Sequence, residues 1–573
     1  KTILGGTTVF AGNTANDKLN DIHNAGELSL GSDQVTHHST SLEGGVDGAG
    51  TFALNQGELN LASTATIKQS AIKVSTLTQT NVTVGENNVI GKAVDHMSEL
   101  QTRGVSEAII HGSDSVVIQD AAKLKVAGAQ AGNSYLVAAS DKALDAGADS
   151  WADTNLEASS ALLNLKRVGE DTDNNSVVVA ATFNPSGLPD VDIPNIIEEV
   201  SGKLDPNSSN PAIQFLSRAT DTAYLNKSEM AKTINSAAEI ALIGGVKNVS
   251  YTGAGLFNRS IEDHLSLMRT VRLEDNVKLH EDDHIDLWVD VSGIMQRNHG
   301  MDVHSKKTGT GNNSFGLDID LGGIVVGADR SFGNGAHIGL AGTAGKGKSK
   351  SRGGDYSKTK NDVDFYGISL YGGYDTEKWN VLGNFSYTHF RNDLRQDLAS
   401  GMQMGGQVKA KVNSDVFSLG AKAEYKFAFD NGVNVVPHVG LRWDRLVTKG
   451  FDTKVQGQKV FRTAKDTQDI LSIPVGIGVQ GDFRNRSDWT IRPQADLSLI
   501  LAAGDVKDKT KVKANGLSAV DTLETRIVDR TSIGGKLGVD FQKGNISVGV
   551  HYNGMYSSKQ HWNGVTAKVV YKF

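Results

Sequence analysis

The chain has 573 residues, with 58 Lys and Arg against 65 Asp and Glu, which gives a net charge of −7. This mildly acidic balance offers no electrostatic basis for binding nucleic acid. The 64 Gly and 8 Pro exclude a collagen and a proline-rich disordered chain. Because cysteine is absent, disulfides, thiolate metal sites and cysteine nucleophiles are excluded, which suits a chain that crosses an oxidising compartment unfolded.

The N-terminal sequence is not that of a signal peptide. Residues 1–6 lack a basic region followed by a long apolar run, so we expect the chain to be a fragment of a larger protein. No stretch approaches the roughly 20 apolar residues of a membrane helix. Hydropathy does not detect membrane β-barrels, however, because their strands alternate apolar and polar residues.

A weak repeat runs through residues 1–185. Residues 24–30 and 55–61 are identical at five of seven positions, and residues 120–126 keep the same spacing more loosely. Each unit pairs a polar turn residue with a short alternating strand, and stacked units of this kind bury their apolar rows against one another. The pattern predicts a right-handed parallel β-helix, with an ordinary β-sandwich as the alternative.

Residues 186–283 are predicted to form a helical linker. Short amphipathic helices are indicated at 193–200 and 210–217, and a longer helix begins near Ser228. Small residues at 244–245 and 252–255 suit passage through a narrow channel. The segment of about 246–268 is long enough to cross a membrane core of about 30 Å, which takes about 20 helical residues.

From residue 284 to the end the pattern has a period of two. Between 417 and 427, for example, apolar residues alternate with polar ones, which is typical of strands with one apolar face. We count about twelve such strands, whose connections are alternately short and long. A β-sandwich does not require this alternation, whereas an outer-membrane barrel has short periplasmic turns and long outer loops. An even strand number places both barrel ends on the periplasmic side.

The C-terminal strand carries an alternating pattern that ends in an aromatic residue. A closed barrel has to seal its last strand to its first, because an open edge in lipid leaves backbone groups unsatisfied. The pattern is similar to the C-terminal assembly signal of outer-membrane barrels. Its residues are Gly564, Val565, Ala567, Val569, Tyr571 and Phe573.

The order of these parts resembles a monomeric autotransporter (type Va secretion). The resemblance rests on residues 287–293, on residues 323–329 and on the Tyr571–Phe573 end. It implies an all-β-dominated chain with a 12-stranded antiparallel transmembrane barrel at 284–573, a helix in or near the pore, and a β-helix passenger at 1–185 with an autochaperone-like core at about 121–185. The barrel is then expected to sit in the Gram-negative outer membrane and to mediate export and surface anchoring of its own, adhesin-like passenger.

The resemblance also implies partners. These are outer-membrane lipid and lipopolysaccharide, the barrel assembly machinery, periplasmic chaperones and a host or cell-surface ligand, with a monomeric chain and no cofactor or nucleic acid. Two alternatives remain open. One is a secreted autotransporter enzyme, such as a protease, whose catalytic head precedes Lys1. The other is an outer-membrane porin with a periplasmic N-terminal domain.

Barrel size indicates what the pore can hold. Eight-stranded barrels are filled by side chains and those of sixteen or more enclose wide channels, so twelve strands should take one helix of about 10–12 Å diameter. Polar strand residues are the candidates for lining such a pore. They are Asp318, Asp320, Lys422, Glu424, Arg442, Arg492, Asp496, Lys536 and Asp540.

Motifs for chemistry are sparse. The chain lacks the serine-hydrolase and zinc-protease signatures, so we predict no enzymatic activity and no catalytic residue. Some autotransporters cleave themselves at an Asn-Asn junction in the pore; the linker has none, and Asn248 and Asn258 are weak candidates. His280 and His284 have metal-ligand spacing, but a solvated hinge is the favoured interpretation, and we predict no metal site.

Overall fold

A computed structural model describes residues 1–15, 17–100, 105–147, 149–169, 175–268, 284–305, 313–398, 406–429, 432–486 and 488–573. These residues form two compact units. One contains residues 1–189 and 195–231, and the other contains residues 190–194 and most of the chain from 232 to 573. The first linker helices therefore group with the N-terminal strands, and the later ones with the barrel.

The N-terminal unit is built of short strands. They are β1 (Thr2–Leu4), β2 (Gly6–Phe10), β3 (Thr14–Ala15), β4 (Lys18–Leu19), β5 (Ile22–His23), β6 (Glu27–Leu30), β7 (His37–Leu42), β8 (Gly45–Asp47), β9 (Thr51–Leu54), β10 (Glu58–Leu61), β11 (Thr66–Val74), β12 (Gln79–Thr83), β13 (Val89–Lys92), β14 (Ile110–Ile118), β15 (Lys123–Ala127), β16 (Asn133–Ser140), β17 (Ala143–Ala146), β18 (Leu156–Ala158), β19 (Leu163–Arg167) and β20 (Ser176–Phe183). Short 3₁₀ turns lie at Glu86–Asn88, Met97–Glu99, Val105–Glu107 and Asp153–Asn155.

Most of these strands pair in parallel, in two sheets. One sheet contains the order β6-β9-β11-β14, and the other contains β7-β10-β12-β15. Leu28, Phe52, Ile72 and Val116 are successive register partners in the first sheet, and all four are buried. This column of apolar side chains is what a parallel stack needs to bury its interior. The pairing is compatible with the predicted β-helix, whose handedness stays a prediction.

The repeated sequences do not pair with each other. Residues 27–30 lie in β6 and residues 58–61 in β10, which belong to different sheets. The same turn-and-strand pattern thus serves both sheets. Beyond β15 parallel pairing continues in β17 and β18, and antiparallel pairing joins β16, β20 and β19. Trp151 is fully buried in this region.

The linker is helical, as the sequence pattern indicated. Its helices are α1 (Pro194–Ser201), α2 (Pro211–Ala219), α3 (Lys227–Ala238), α4 (Ile240–Ile243) and α5 (Val246–Leu265). The Asn210 side chain caps α2 by accepting from the backbone N–H groups of Ala212 and Ile213. Gly245, at φ 67°, separates α4 from α5 in a left-handed conformation that favours glycine. Among the described residues, no helix combines the length and apolarity that a membrane crossing requires.

Twelve long antiparallel strands close into a barrel, which confirms the predicted fold class. They are β21 (His284–Asp302), β23 (Ser314–Ser331), β24 (Ala336–Arg352), β25 (Thr359–Asp375), β26 (Trp379–Asp397), β27 (Gln407–Tyr425), β29 (Val433–Thr448), β32 (Asp466–Gly481), β34 (Thr490–Gly504), β37 (Thr531–Lys543), β38 (Ile546–Ser557) and β39 (Gln560–Lys572). Shorter strands extend them: β22 (His304–Ser305), β28 (Phe427–Ala428), β30 (Phe451–Val455), β31 (Gln458–Thr463), β33 (Phe483–Arg484), β35 (Lys507–Ala514) and β36 (Asp521–Arg526).

Strand β39 closes the barrel against β21. Val565, Val569 and Tyr571 of the predicted assembly signal point outward and are 55%, 47% and 41% exposed. Ala567 and Phe573 are also exposed, whereas Gly564 is buried on the opposite face, where a Cβ would come within 2.6 Å of Ile294. The signal residues other than Gly564 thus belong to the outer apolar band of the barrel.

The long connections contain more β-structure than the sequence suggested. The alternating pattern assigns residues 348–361 and 392–413 to long connections, but β24 continues to Arg352 and β26 to Asp397. The regions 447–468 and 503–528 each contain a hairpin, β30–β31 and β35–β36. Backbone pairing does not require an apolar face, so strands can continue beyond the lipid with polar side chains outside.

Candidate functional site in the barrel pore

Helix α5 is enclosed by the barrel. Its 20 residues span about 30 Å. The helix contacts β23, β24, β25, β26, β27 and β29. The polar residues Lys247, Asn248, Asn258 and His264 are each at most 5% exposed, as are apolar residues of the same helix. A helix buried on both its polar and its apolar side is surrounded by protein. The predicted segment of about 246–268 is therefore a pore helix in the structure, ending at Leu265.

The first turn of α5 is fixed by an ion cluster. Lys247 forms ion pairs with Asp466, at the start of β32, and with Asp508 of β35, whose Oδ1 lies 2.5 Å from Nζ. Asn248 Nδ2 donates to the carbonyl of Ile527 at 2.8 Å. Ser349 Oγ donates to the carbonyl of Gly244 at 2.6 Å. Each partner belongs to the barrel end that carries the long connections.

A buried carboxyl pair lies just before this turn. Asp192 Oδ2 accepts hydrogen bonds from Tyr356 Oη at 3.1 Å and from Asn313 Nδ2 at 3.2 Å. Glu239, which is 1% exposed, lies next to Asp192. Burial, reinforced by the charge of Asp192, raises the pKa of Glu239 well above its usual range, and burial also raises the pKa of Asp192. The pair therefore favours a protonated state at this end of the pore.

Small and polar residues let the middle of the helix pass close to the wall. A Cβ on Gly253 would lie 2.6 Å from Cε1 of Phe390. Asn258 Oδ1 accepts from Asn384 Nδ2 at 2.6 Å and from Ser386 Oγ at 2.8 Å. Asn248 and Asn258, the weak candidates for self-cleavage, thus lie within a regular helix with hydrogen bonds to the wall, and cleavage there stays a prediction.

The C-terminal half of α5 faces charged strand residues. Asp263 forms an ion pair with Lys536 of β37 at 3.0 Å. The Arg259 guanidinium lies 4.1 Å from the ring centre of Trp562. Next to them, Lys422 pairs with Glu424 at 2.8 Å and Arg442 with Asp444 at 2.8 Å. A cavity of about 200 Å³ beside the helix is lined in part by Arg259, Asp263, Lys422, Arg442, Lys536 and Trp562.

The end of the helix is held by Glu424. Its Oε1 accepts from Ser266 Oγ at 2.7 Å and its Oε2 from the Leu267 backbone N–H at 2.6 Å. Asn380 Nδ2 donates both to Glu424 Oε2 and to the carbonyl of Leu265. These contacts satisfy backbone groups that a helix terminus otherwise leaves free.

The predicted pore-lining residues separate into two groups. Lys422, Glu424, Arg442, Arg492, Asp496, Lys536 and Asp540 have largely buried side chains on the inner face of the wall. Arg492 donates to Gln542 and Asp540 pairs with His551, both of which are wall residues.

Asp318 and Asp320 do not line the pore. They lie on the outer face of β23, in ion pairs with Arg352 and Arg297. Their neighbour Leu317 contacts the position of Gly245, so the apolar row of this strand segment faces inward. The prediction for these two residues was wrong. In the first part of β23, beyond the outer apolar band of the barrel, the polar side chains face outward and the apolar ones face the pore.

Comparison with known proteins relates the barrel sequence to a protein family. Residues 300–553 match the family model of the autotransporter beta-domain. A region of 192 residues is 25% identical to putative uncharacterized protein YaiT of Escherichia coli K12 and 24% identical to uncharacterized protein YaiT of Salmonella typhimurium LT2. Each alignment covers 33% of this chain, but only 19% and 18% of those proteins.

Solved structures of similar fold include translocator domains. The translocator domain of autotransporter NalP from Neisseria meningitidis is 14% identical, with a TM-score of 0.42, and the match covers 58% of this chain and 99% of that one. The transport unit of autotransporter AIDA-I from Escherichia coli is 13% identical, with a TM-score of 0.38, and the match covers 56% and 98%.

Proposed function

We propose, from the premise that the C-terminal barrel is an autotransporter β-domain that inserts in the outer membrane, that it exports the N-terminal part of its own chain and anchors it at the cell surface as an adhesin-like passenger. One observation carries the proposal: the chain passes lengthwise through its own barrel. Helix α5 begins at one mouth of the pore, and the first barrel strand begins at the other.

The direction of that passage follows from the contacts of the helix. Its start is bound by Asp466 and Asp508, on the side of the long connections, and its end by Glu424, beside a short turn. Outer-membrane barrels place long connections outside and short turns in the periplasm. This supports an extracellular position for the segment before residue 246 and a periplasmic position for both ends of the barrel.

Export in this arrangement needs no nucleotide. Parallel stacking of strands outside the cell buries apolar side chains such as Leu28, Phe52 and Ile72, and each added strand lowers the free energy of the exported part. The partners we propose are the barrel assembly machinery and periplasmic chaperones before insertion, and outer-membrane lipid and lipopolysaccharide afterwards. The outward Lys346, Lys348 and Lys350 of β24 suit contacts with lipopolysaccharide phosphates.

Protease digestion of intact cells tests the proposed topology. Full-length chain in the outer membrane is exposed to proteinase K, and antibodies to the N-terminal unit and to a C-terminal tag report on each part. We expect loss of residues 1–231 from intact cells while the barrel is retained. A periplasmic protein serves as the control for membrane integrity. If the N-terminal unit is digested only after the outer membrane is permeabilised, the chain is a porin-like barrel with a periplasmic domain.

A second experiment addresses the passenger. Cells that display the full chain are compared with cells that display residues 232–573 in autoaggregation and in attachment to host cells. An adhesin-like passenger raises adherence only in the full chain. Equal adherence of the two strains contradicts that role and leaves the secreted enzyme as the better candidate.

A further inference from the structure

Three buried side chains with metal-ligating atoms meet where the pore helix ends. His264 comes from α5, Asp286 from β21 and Asp329 from β23, and one ligand atom of each lies within 4.8 Å of the others. Their exposed fractions are 2%, 2% and 3%. Asp286 and Asp329 are direct cross-strand partners, so the register of the barrel itself brings the two carboxylates together.

The surroundings of this cluster make an uncompensated carboxylate costly. Trp288, Leu265, Val325 and Leu382 belong to the apolar core beside it. Within the described residues, Asp286 Oδ1 has no hydrogen-bond partner, while its Oδ2 lies 3.7 Å from His284 Nε2. A buried carboxylate oxygen normally binds a donor or a cation. The charge of a cation at this point would compensate Asp286.

The imidazole and one of the carboxylates are already oriented. Trp288 stacks on the His264 ring at a centroid distance of 4.6 Å, with 18° between the planes. Tyr371 Oη donates to Asp329 Oδ1 at 3.1 Å and accepts from Trp288 Nε1 at 2.8 Å. Metal ligands in proteins are typically held by outer contacts of this kind, which fix ring and carboxylate orientation.

We propose that His264, Asp286 and Asp329 form a binding site for a divalent transition-metal cation of the zinc class. One imidazole and two carboxylates suit Zn²⁺ and neutralise its charge. Zn–N and Zn–O bonds of about 2.0–2.2 Å place tetrahedral ligand atoms about 3.4 Å apart. His264 Nε2 and Asp329 Oδ1, now 2.6 Å apart, would move apart by about 0.8 Å to admit the ion.

Such an ion would tie three separate parts of the chain together. The end of α5 would be fixed to the first two barrel strands, across a connection that includes residues 269–283. The site lies beside the short-turn end of the barrel, which faces the periplasm in the proposed topology. It adds cation-dependent fixing of the helix end to the barrel wall to the export role and does not depend on what the passenger binds.

Metal analysis of the folded, full-length chain tests the site. Detergent-folded protein is freed of metal, dialysed against ZnCl₂ and analysed for zinc, and its affinity is measured by titration. We expect one Zn²⁺ per chain and a dissociation constant at least about tenfold weaker in Asp286→Asn and in His264→Gln. His438→Gln is the matched control, because His438 Nε2 also lies 2.6 Å from a carboxylate, that of Asp496, outside the three-residue group.

Two further measurements test metal binding in the wild type itself, so the test does not depend on whether the variants fold. Bound Zn²⁺ should raise the melting temperature of the wild type and of His438→Gln, but not of Asp286→Asn. Co²⁺ in place of Zn²⁺ should give the visible absorption of a four-coordinate ion in the wild type. Absence of stoichiometric zinc and of this spectrum in the wild type, or equal affinity of the wild type and a folded Asp286→Asn, overturns the proposal. Failure of the export experiment leaves this result unaffected.

Discussion

Glu424 Oε2 accepts a hydrogen bond of 2.6 Å from the backbone N–H of Leu267, two residues beyond the end of the pore helix. The same carboxylate pairs with Lys422. One side chain of the wall therefore both ends the helix and balances a buried lysine. This relationship ties the C-terminal end of the helix to the charge of one wall carboxylate.

Replacing Glu424 by Gln should destabilise the folded barrel by about 3–5 kcal/mol, because it removes the carboxylate that lies 2.8 Å from the buried Lys422. Urea unfolding of the purified chain measures this loss, and single-channel conductance should rise as the helix end loosens. The control is Glu524→Gln, which removes a carboxylate 3.8 Å from the exposed Lys509 and should cost less than about 1 kcal/mol. Equal losses in the two variants contradict the special role of Glu424.

The Asp263–Lys536 pair should contribute measurable coupling between helix and wall. A double-mutant cycle with Asp263→Asn and Lys536→Met should yield about 1–3 kcal/mol, since both side chains are largely buried. The exposed pair of Lys346 and Asp364, at 3.5 Å, should yield less than about 0.5 kcal/mol. A coupling energy near zero for the pore pair would mean that the helix is not held by this contact.

Gly253 and Gly255 should respond differently to alanine. A Cβ at Gly253 meets the ring of Phe390, which is itself stacked on Phe365, and we expect a loss of about 1–3 kcal/mol. A Cβ at Gly255 meets the end of the flexible Arg442 side chain at 3.2 Å. The gain in helix propensity of about 1 kcal/mol should offset that contact. Thermal unfolding measures the stability of the two alanine variants. If the variant at Gly255 is the less stable of the two, the helix does not lie in the pore as described.

The Glu239–Asp192 pair should make the outer end of the pore more stable at low pH. Because the folded pKa of Glu239 is raised, its protonated form contributes stability that is complete below the unfolded value, about 4.3, and is lost as pH rises through the folded pKa. The melting temperature of the wild type should therefore fall between pH 5 and pH 8 more than that of Glu239→Gln.

The matched control for this pH experiment is Glu229→Gln. Glu229 lies on the exposed first turn of α3, so its replacement removes a carboxylate without affecting the buried pair. Its pH profile should follow that of the wild type. Parallel profiles for the wild type and Glu239→Gln would show that the pair does not titrate in this range.

Local sequence patterns were sufficient for the elements of the barrel. Alternation of apolar and polar residues located the twelve strands, and the small residues around Gly245 and Gly253 indicated the pore helix. The face of each strand was harder to assign. In β23 the apolar row occupies odd positions from Phe315 to Leu321, which face the helix, and then even positions from Ile324, which face outward. A strand longer than the lipid band reverses its pattern in this way.

The partners in the pore could not be derived from local patterns. Lys247 meets Asp508 across 261 positions of sequence, and Asn258 meets Ser386 across 128. No spacing rule connects such residues, since their contact depends on the rotation and depth of the helix in the barrel. The burial of His264 could not be derived from local patterns either, because it depends on how β21 and β23 close around the end of the helix.

The covalent continuity of helix α5 and strand β21 has a consequence for stoichiometry. Only 18 residues, 266–283, separate the two elements in sequence, so the occupant of the pore is tethered to it at a high effective concentration. Occupancy is therefore independent of how many molecules a cell makes, and dilution does not reduce it. Each barrel carries one occupant of its own, and no free ligand has to be supplied to keep the passage filled.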